Sequence, residues 1–162
     1  MVVDFVIRKA PGYRLATRTM KGPWPGDKAL RAEFEKVHEW AKAKGLRTGK
    51  WVFREFGDYA TPAKMRYEVG VELRTRSPVR GGKGMSVKTI PSGTVASVTF
   101  DPDAVSPRVI YHGISDFLRW QKKEGKYREA GPYMEVYPGN PWTNERAWAH
   151  TVIAAPVKSL HK

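Results

Sequence analysis

Apolar residues recur at helical spacing in two parts of the chain. A helix of roughly 27–44 carries the first set on one face, which consists of Leu30, Phe34, Val37 and Ala41. A second helix, at roughly 107–123, carries the matching set, which consists of Ile110, Ile114, Phe117 and Gln121. Spacings of three and four residues place each set on one side of an α-helix, so both helices are predicted to pack against a sheet.

Alternation of apolar and polar residues predicts strands on either side of each helix. Before the helices, the predicted strands cover about 3–9 and 13–20 in the first half and about 85–90 and 94–100 in the second. After each helix comes a strand that holds Glu55 or Glu135, and then a third strand at about 66–74 or 147–157. Each half is therefore predicted to contain a strand, a helix and a two-stranded hairpin.

The two halves repeat with a spacing of 80 residues. The shift superimposes identical residues, which are Trp40 on Trp120, Gly45 on Gly125, Glu55 on Glu135 and Pro11 on Pro91. It also superimposes similar ones, among them Phe34 on Ile114 and Leu73 on Ile153. A match along the whole chain indicates an internal duplication.

The predicted fold class is therefore α+β, a duplicated strand–helix–hairpin unit with pseudo-two-fold symmetry. We expect an antiparallel sheet that forms a groove, with the two main helices packed on it. Residues 1–162 are predicted to form one domain of two repeats, about 1–74 and 85–158, joined by a Gly/Pro/basic connector at 75–84. Because so short a repeat has a thin core alone, the repeats should pack together and leave a ligand-sized groove at their junction.

Composition narrows the chemistry further. The chain has no cysteine and its four histidines lack ligand spacing, so neither a metal nor a cofactor is expected. No apolar run is long enough to span a bilayer and the N-terminus does not match a signal peptide, which predicts a cytoplasmic protein without membrane association. The net charge of +13 makes nucleic acid a candidate partner, but the bases are scattered through every segment, and this interpretation is not favoured.

Candidate binding residues lie on the strands that follow the helices. Alternation places Tyr133, Glu135 and Tyr137 on one strand face, where two aromatic rings and a carboxylate suit a planar cation. Glu55 occupies the matching place in the first half, with Trp51 and Phe53 on its face.

Two interpretations of Glu55 remain open. Either Glu55 faces the groove together with Glu135, or it is a remnant of the duplication that is ion-paired with neighbouring bases, such as Arg54 or Arg66. The basic residues that surround Glu55 in the sequence favour the ion pair. If both carboxylates faced the groove, their proximity would raise the pKa of one of them.

Other aromatic residues are candidates for the edges of the groove. Tyr111 lies beside the buried stripe of the second helix, on a flank that can border the groove. Trp24 and Trp142 lie in Pro-containing loops, from which they can close its ends. Trp40 and Trp120 are interpreted as packing between helix and sheet.

An ordered set of segments resembles the GyrI-like small-molecule-binding domain. The set consists of "MKGPWPG" at 20–26, Trp40, Trp120, "GPYMEVYPGNP" at 131–141 and "TVIAAPV" at 151–157. The resemblance implies a groove for flat, lipophilic, often cationic molecules, with an acidic residue at the position of Glu135. It also implies hydrolysis as an alternative function, since some members are described as hydrolases that open cyclopropane-containing alkylating toxins. The chain departs from the pattern with "DPDAVSP" at 101–107, where the family has a second Gly-Pro-aromatic turn.

Three functions follow as hypotheses. The first is a stand-alone binding protein, a monomer or dimer without a DNA-reading segment, that captures lipophilic aromatic cations with Glu135 as counter-charge. The second is a hydrolase of electrophilic cyclopropane-type genotoxins, with Glu135 as general acid or base and Tyr111 assisting. The third is a basic protein that associates with nucleic acid or with an enzyme acting on it.

Overall fold

The computed structural model describes residues 3–161 and contains three α-helices, one short 3₁₀ helix (Pro62–Lys64) and nine strands in that range. The α-helices are α1 (Asp27–Ala43), α2 (Pro107–Lys123) and α3 (Glu145–Ala149). The strands are β1 (Val6–Ala10), β2 (Tyr13–Lys21), β3 (Thr48–Phe56), β4 (Arg66–Leu73), β5 (Ser86–Ile90), β6 (Gly93–Phe100), β7 (Tyr127–Glu129), β8 (Met134–Tyr137) and β9 (Thr151–Ser159). Within the described range, no helix has the length and hydrophobicity that crossing a membrane requires.

The strand order confirms the duplicated α+β fold. Eight strands form an antiparallel sheet in the order β1-β6-β9-β8-β3-β4-β2-β5, and β7 pairs with β9 at the side. The order reads the same from both ends once each strand is exchanged for its counterpart in the other repeat. At the centre, β3 pairs with β8, and Arg54 lies opposite Met134, which is its own counterpart 80 residues on. The pseudo-two-fold axis therefore passes through this residue pair.

Each repeat lends its first strand to the other. β1 pairs with β6 of the second repeat, and β5 pairs with β2 of the first. The breaks at Pro11 and Pro91 separate these lent strands from the strands that stay with their own repeat. Since a proline has no N–H to donate to a ladder, it suits the point where the chain leaves one strand for another.

The two long helices cover one face of the sheet. On the other face, the curled sheet packs its own side chains together. α1 buries the predicted set of four residues, whereas α2 buries Leu118 in place of the predicted Phe117. Phe117 instead stacks on Phe5, with ring centroids 5.9 Å apart. On the opposite face, the curl of the sheet buries a separate apolar cluster around the axis, which includes Leu15, Val52 and Val136.

The predicted strand at 147–157 is wrong at its beginning. The Asn144 side chain accepts hydrogen bonds from the backbone N–H groups of Arg146 and Ala147, which caps α3, and β9 begins only at Thr151. The 80-residue spacing also fails here. Ala16 pairs with Val71, but its counterpart Ala96 pairs with Ala155, which lies 84 residues after Val71.

Two further expectations differ from the structure. The predicted strand that holds Glu135 is divided into β7 and β8, because Gly131 and Pro132 interrupt it. Trp40 packs partly against the core, as expected, but Trp120 is 48 % exposed and lies under the ammonium group of Lys126. The interpretation of Trp120 as packing between helix and sheet is therefore wrong: the repeat kept the residue but not its burial.

Candidate functional site

A cavity of about 510 Å³ opens on the helix-covered face beside the pseudo-two-fold axis. Its lining comes from both repeats and consists mainly of aromatic residues, prolines and acids, together with one leucine and one threonine. These residues are Trp24, Asp27, Leu30, Phe53, Glu55, Tyr59, Phe100, Pro102, Pro107, Glu135, Tyr137, Pro141, Trp142, Trp148 and Thr151. Three of these residues are acidic and none is Lys or Arg, although the chain contains 29 of those bases. The "DPDAVSP" segment, where the sequence departs from the family pattern, contributes Pro102 and Pro107 to the wall.

Strand alternation explains the separation of charge. Phe53 and Glu55 of β3 line the cavity, whereas the intervening Arg54 points to the opposite face of the sheet and bonds Glu68 there. Phe53 lies opposite Glu135 in the β3–β8 ladder, so Glu55 and Glu135 are diagonal neighbours on one face, with Cα atoms roughly 7–8 Å apart.

Glu135 is held by two phenol groups. The hydroxyl of Tyr111 donates to Oε1 at 2.6 Å, and the hydroxyl of Tyr137 donates to Oε2 at 2.5 Å. Burial, and then the charge of Glu135, raises the pKa of both tyrosines above the usual phenol value. Both phenols therefore stay neutral donors, and the carboxylate is fixed in orientation on the cavity wall.

Glu55 is not the ion-paired remnant that the sequence favoured. Both bases suggested as its partners lie elsewhere: Arg54 donates to Glu68 at 2.6 Å, and the Arg66 guanidinium stacks on Phe56 at 4.4 Å. Glu55 instead accepts a hydrogen bond from the hydroxyl of Tyr59 and lines the cavity. Burial raises the pKa of Glu55; the Tyr59 hydrogen bond lowers it, and the charge of Glu135 raises it further.

Two of the predicted tryptophans border the cavity. Trp24 is 44 % exposed and meets Tyr67 and Phe53 edge-on, with centroids 5.3 and 5.9 Å away. It lies between Gly22 and Gly26, whose φ angles of 100° and 92° favour glycine. Trp142 is less exposed and packs against the core residues beneath α1.

Three of the predicted site residues do not line the cavity. Trp51 has the same strand face as Phe53 but is covered by α1, where Phe34 stacks on it at 5.1 Å, and it is only 2 % exposed. Tyr133 bonds Glu129 at 2.9 Å and stacks on Tyr111, away from the opening. Tyr111 itself reaches the site only through its hydroxyl, which bonds Glu135.

Sequence reasoning missed nine of the fifteen described cavity residues, and three of these nine bring a carboxylate, a phenol or an indole to the site. Asp27 is the first residue of α1 and brings a third carboxylate to the rim. Tyr59 lies in the loop after β3, four residues beyond Glu55, where only the short spacing could have indicated it. Trp148 lies on α3 in a segment predicted to be a strand; its ring stacks on Tyr137, and its Nε1 donates to Asp103 at 2.9 Å.

The fold and the site together define the class of protein: a duplicated α+β domain with an acidic, aromatic cavity beside its pseudo-two-fold axis. The chain belongs to the GyrI-like small molecule binding domain family, whose model matches residues 4–158. No curated protein sequence matches the chain.

Several solved structures share the fold. The C-terminal domain of EcmrR superimposes with a TM-score of 0.72 at 17 % identity, covering 98 % of this chain and 99 % of that domain. SAV2435 bound to tetraphenylphosphonium superimposes with a TM-score of 0.55 at 12 % identity, covering 96 % of this chain and 94 % of that one. A hydrolase from Listeria innocua superimposes with a TM-score of 0.58 at 12 % identity, covering 94 % of this chain and 91 % of that one. At these identities the likeness establishes the fold alone.

Proposed function

We propose that this domain captures lipophilic aromatic cations in its cavity, with Glu135 as the counter-charge. The observation that carries the proposal is the composition of the wall: carboxylates and aromatic rings, without Lys or Arg among the described residues that line it. A carboxylate set among apolar groups favours a ligand that brings positive charge, because burial without compensation is costly.

The aromatic residues suit the remainder of such a ligand. Phe53, Tyr137 and Trp142 offer ring faces or edges for flat apolar groups, and a cation gains additional attraction from the ring electrons. A cavity of about 510 Å³ lies in the range that drug-sized molecules occupy. The tetraphenylphosphonium bound to SAV2435 is a molecule of this class, on a protein with the same fold.

The net charge of +13 does not prevent cation capture. At physiological salt, charges more than about 8 Å from the ligand are largely screened by ions. Carboxylates within a partly enclosed cavity are screened far less and act over a short distance at lower dielectric. The carboxylates of the cavity wall therefore attract a bound cation more strongly than the distant surface charges repel it.

Titration with rhodamine 6G, followed by tryptophan quenching, tests the proposal. Wild type should bind saturably, and Glu135→Gln should bind at least about tenfold more weakly, a difference of about 1.4 kcal/mol. Glu124→Gln is the matched control, because it makes the same change at an exposed position beyond the end of α2. Equal binding by wild type and Glu135→Gln would remove the counter-charge role.

Hydrolysis is a second candidate, and the pair of phenols on Glu135 favours it. A carboxylate fixed by the hydroxyls of Tyr111 and Tyr137 beside an open cavity can accept a proton from an attacking water. A neutral phenol nearby can donate a proton to the opening group of a strained ring. The Listeria innocua neighbour described as a hydrolase has the same fold.

Mass spectrometry of a cyclopropane-containing alkylating agent, incubated with the protein, separates the two candidates. An enzyme should add water to the agent. Both Glu135→Gln and Tyr111→Phe should then reduce turnover by about a hundredfold or more, the loss expected when a general acid–base group is removed. Binding without any water-addition product would leave capture as the function.

A further inference from the structure

The cavity carries more negative charge than a single cation needs. Asp27, Glu55 and Glu135 all line it, in a chain whose net charge is +13. Asp27 is exposed at the rim, whereas Glu55 and Glu135 are half-buried on the wall. The charge of the wall is thus opposite in sign to that of the chain as a whole.

No base within the described range neutralises the two inner carboxylates. The side-chain donors to Glu135 are Tyr111 and Tyr137, and the donor to Glu55 is Tyr59, all of them neutral phenols. The nearest base along β3, Arg54, is directed to the other face by strand alternation and is bonded to Glu68. Compensation of these charges is therefore left to a bound molecule.

The central strand pair places the two carboxylates side by side but apart. Phe53 lies opposite Glu135, so Glu55 is displaced by two residues along the same face, with its Cα roughly 7–8 Å from that of Glu135. A compact cation held at one carboxylate leaves the other without a partner. Two positive groups separated by several ångströms satisfy both.

Building on the proposed function, we propose that this cavity prefers ligands with two positive charges, one held at Glu135 and the other at Glu55. Glu135, fixed by two phenols, holds the charge of the aromatic core. Glu55, with the exposed Tyr59 as its partner, meets a second charge nearer the opening. The raised pKa of Glu55, caused by burial and in part by Glu135, agrees with a site that has an excess of negative charge when empty.

Ethidium and propidium form the matched pair of probes, because they share one phenanthridinium ring and propidium adds a quaternary ammonium on a propyl arm. Isothermal titration calorimetry on nuclease-treated protein should show propidium binding wild type at least about tenfold more tightly than ethidium. In Glu55→Gln the advantage should fall below about threefold, while ethidium affinity changes little. The exposed Glu124→Gln control should leave both affinities unchanged.

The outcomes separate this inference from the proposed function. If ethidium binds and loses affinity in Glu135→Gln, but propidium has no advantage, cation capture stands and the preference for two charges is overturned. An advantage that persists in Glu55→Gln also overturns it. If neither dye binds wild type, or if Glu135→Gln leaves ethidium binding intact, the proposed function fails and this inference fails with it.

Discussion

Glu55 and Glu135 occupy equivalent positions in the two repeats but have different surroundings. Glu135 accepts hydrogen bonds from Tyr111 on α2 and Tyr137 on its own strand. Glu55 has Tyr59 alone, from a loop, and that tyrosine is 59 % exposed. One carboxylate is fixed by packed elements, whereas the other is held at the edge by a loop.

Substitution of a few residues after duplication explains the difference. The counterpart of Tyr111 in the first repeat is Arg31, which is directed outwards and pairs with Glu35 at 2.7 Å. The counterpart of Tyr137 is Gly57, which has no side chain to donate. A symmetric sheet therefore carries an asymmetric site, in which one carboxylate is fixed by two phenols and the other is held by a single exposed loop tyrosine.

The largest expected effect is a loss of stability that differs between the two loop tryptophans. Trp142→Ala should lower the free energy of unfolding by about 3 kcal/mol, because the ring packs against Phe34 and Trp51 in the core. Trp24→Ala should cost less than about 1 kcal/mol, since much of the ring is exposed, but should weaken tetraphenylphosphonium binding. Urea unfolding and calorimetry measure the two quantities; the reverse order of stability losses would contradict the assignment.

Removing one phenol hydroxyl from each carboxylate compares the two directly. Tyr137→Phe should destabilise the fold by about 1.5 kcal/mol or more, because a buried hydrogen bond to a charged group is lost. Tyr59→Phe makes the same chemical change at an exposed residue and should cost less than about 0.5 kcal/mol. Equal losses in urea unfolding would mean that the two sites are not as different as their contacts indicate.

The smallest effect is a change of pH dependence at Glu55. Its carboxyl lies among Tyr59, Tyr67 and Glu135, and burial holds its pKa above the usual carboxyl value. Acidification therefore protonates Glu55 early, and propidium affinity should fall a few-fold through that window in wild type but not in Glu55→Gln.

Stability should respond in the opposite direction. A carboxyl whose pKa is raised by folding binds its proton more tightly in the native state, so its contribution to stability falls as pH rises through the folded pKa. Wild type should accordingly gain stability relative to Glu55→Gln when the pH is lowered through the same window. Thermal unfolding at several pH values measures this, and a relative loss on acidification would indicate an ion-paired carboxylate instead.

Much of the fold followed from local patterns. The apolar stripes placed α1 and α2 within one residue of their observed ends, and the 80-residue repeat anticipated the symmetric strand order. The pattern failed where a helix cap or a strand break decides the outcome. The Asn144 cap turned the beginning of a predicted strand into α3, and the break at Gly131 divided another strand, neither of which periodicity registers.

The candidate site was anticipated where strand alternation controls it. Phe53, Glu55, Glu135 and Tyr137 share the cavity face because side chains on a strand alternate. The same rule placed Trp51 on that face, but α1 covers it, and coverage by a helix depends on packing rather than on sequence period. Tyr59 and Trp148 reach the cavity from a loop and a short helix, whose positions depend on the folded chain.

The most direct measurement compares tetraphenylphosphonium with tetraphenylborate, two ions of similar shape and opposite charge. Wild type is titrated by calorimetry at about 0.5 M NaCl, where the screening length is roughly 4 Å. Because the charges of the basic surface are then screened, any difference in affinity between the two ions reflects the cavity. The cavity should bind the phosphonium saturably and tighter than the borate by at least about tenfold, against the net charge of the chain. Equal binding, or preference for the borate, would contradict the claim that the carboxylate wall determines what this domain captures.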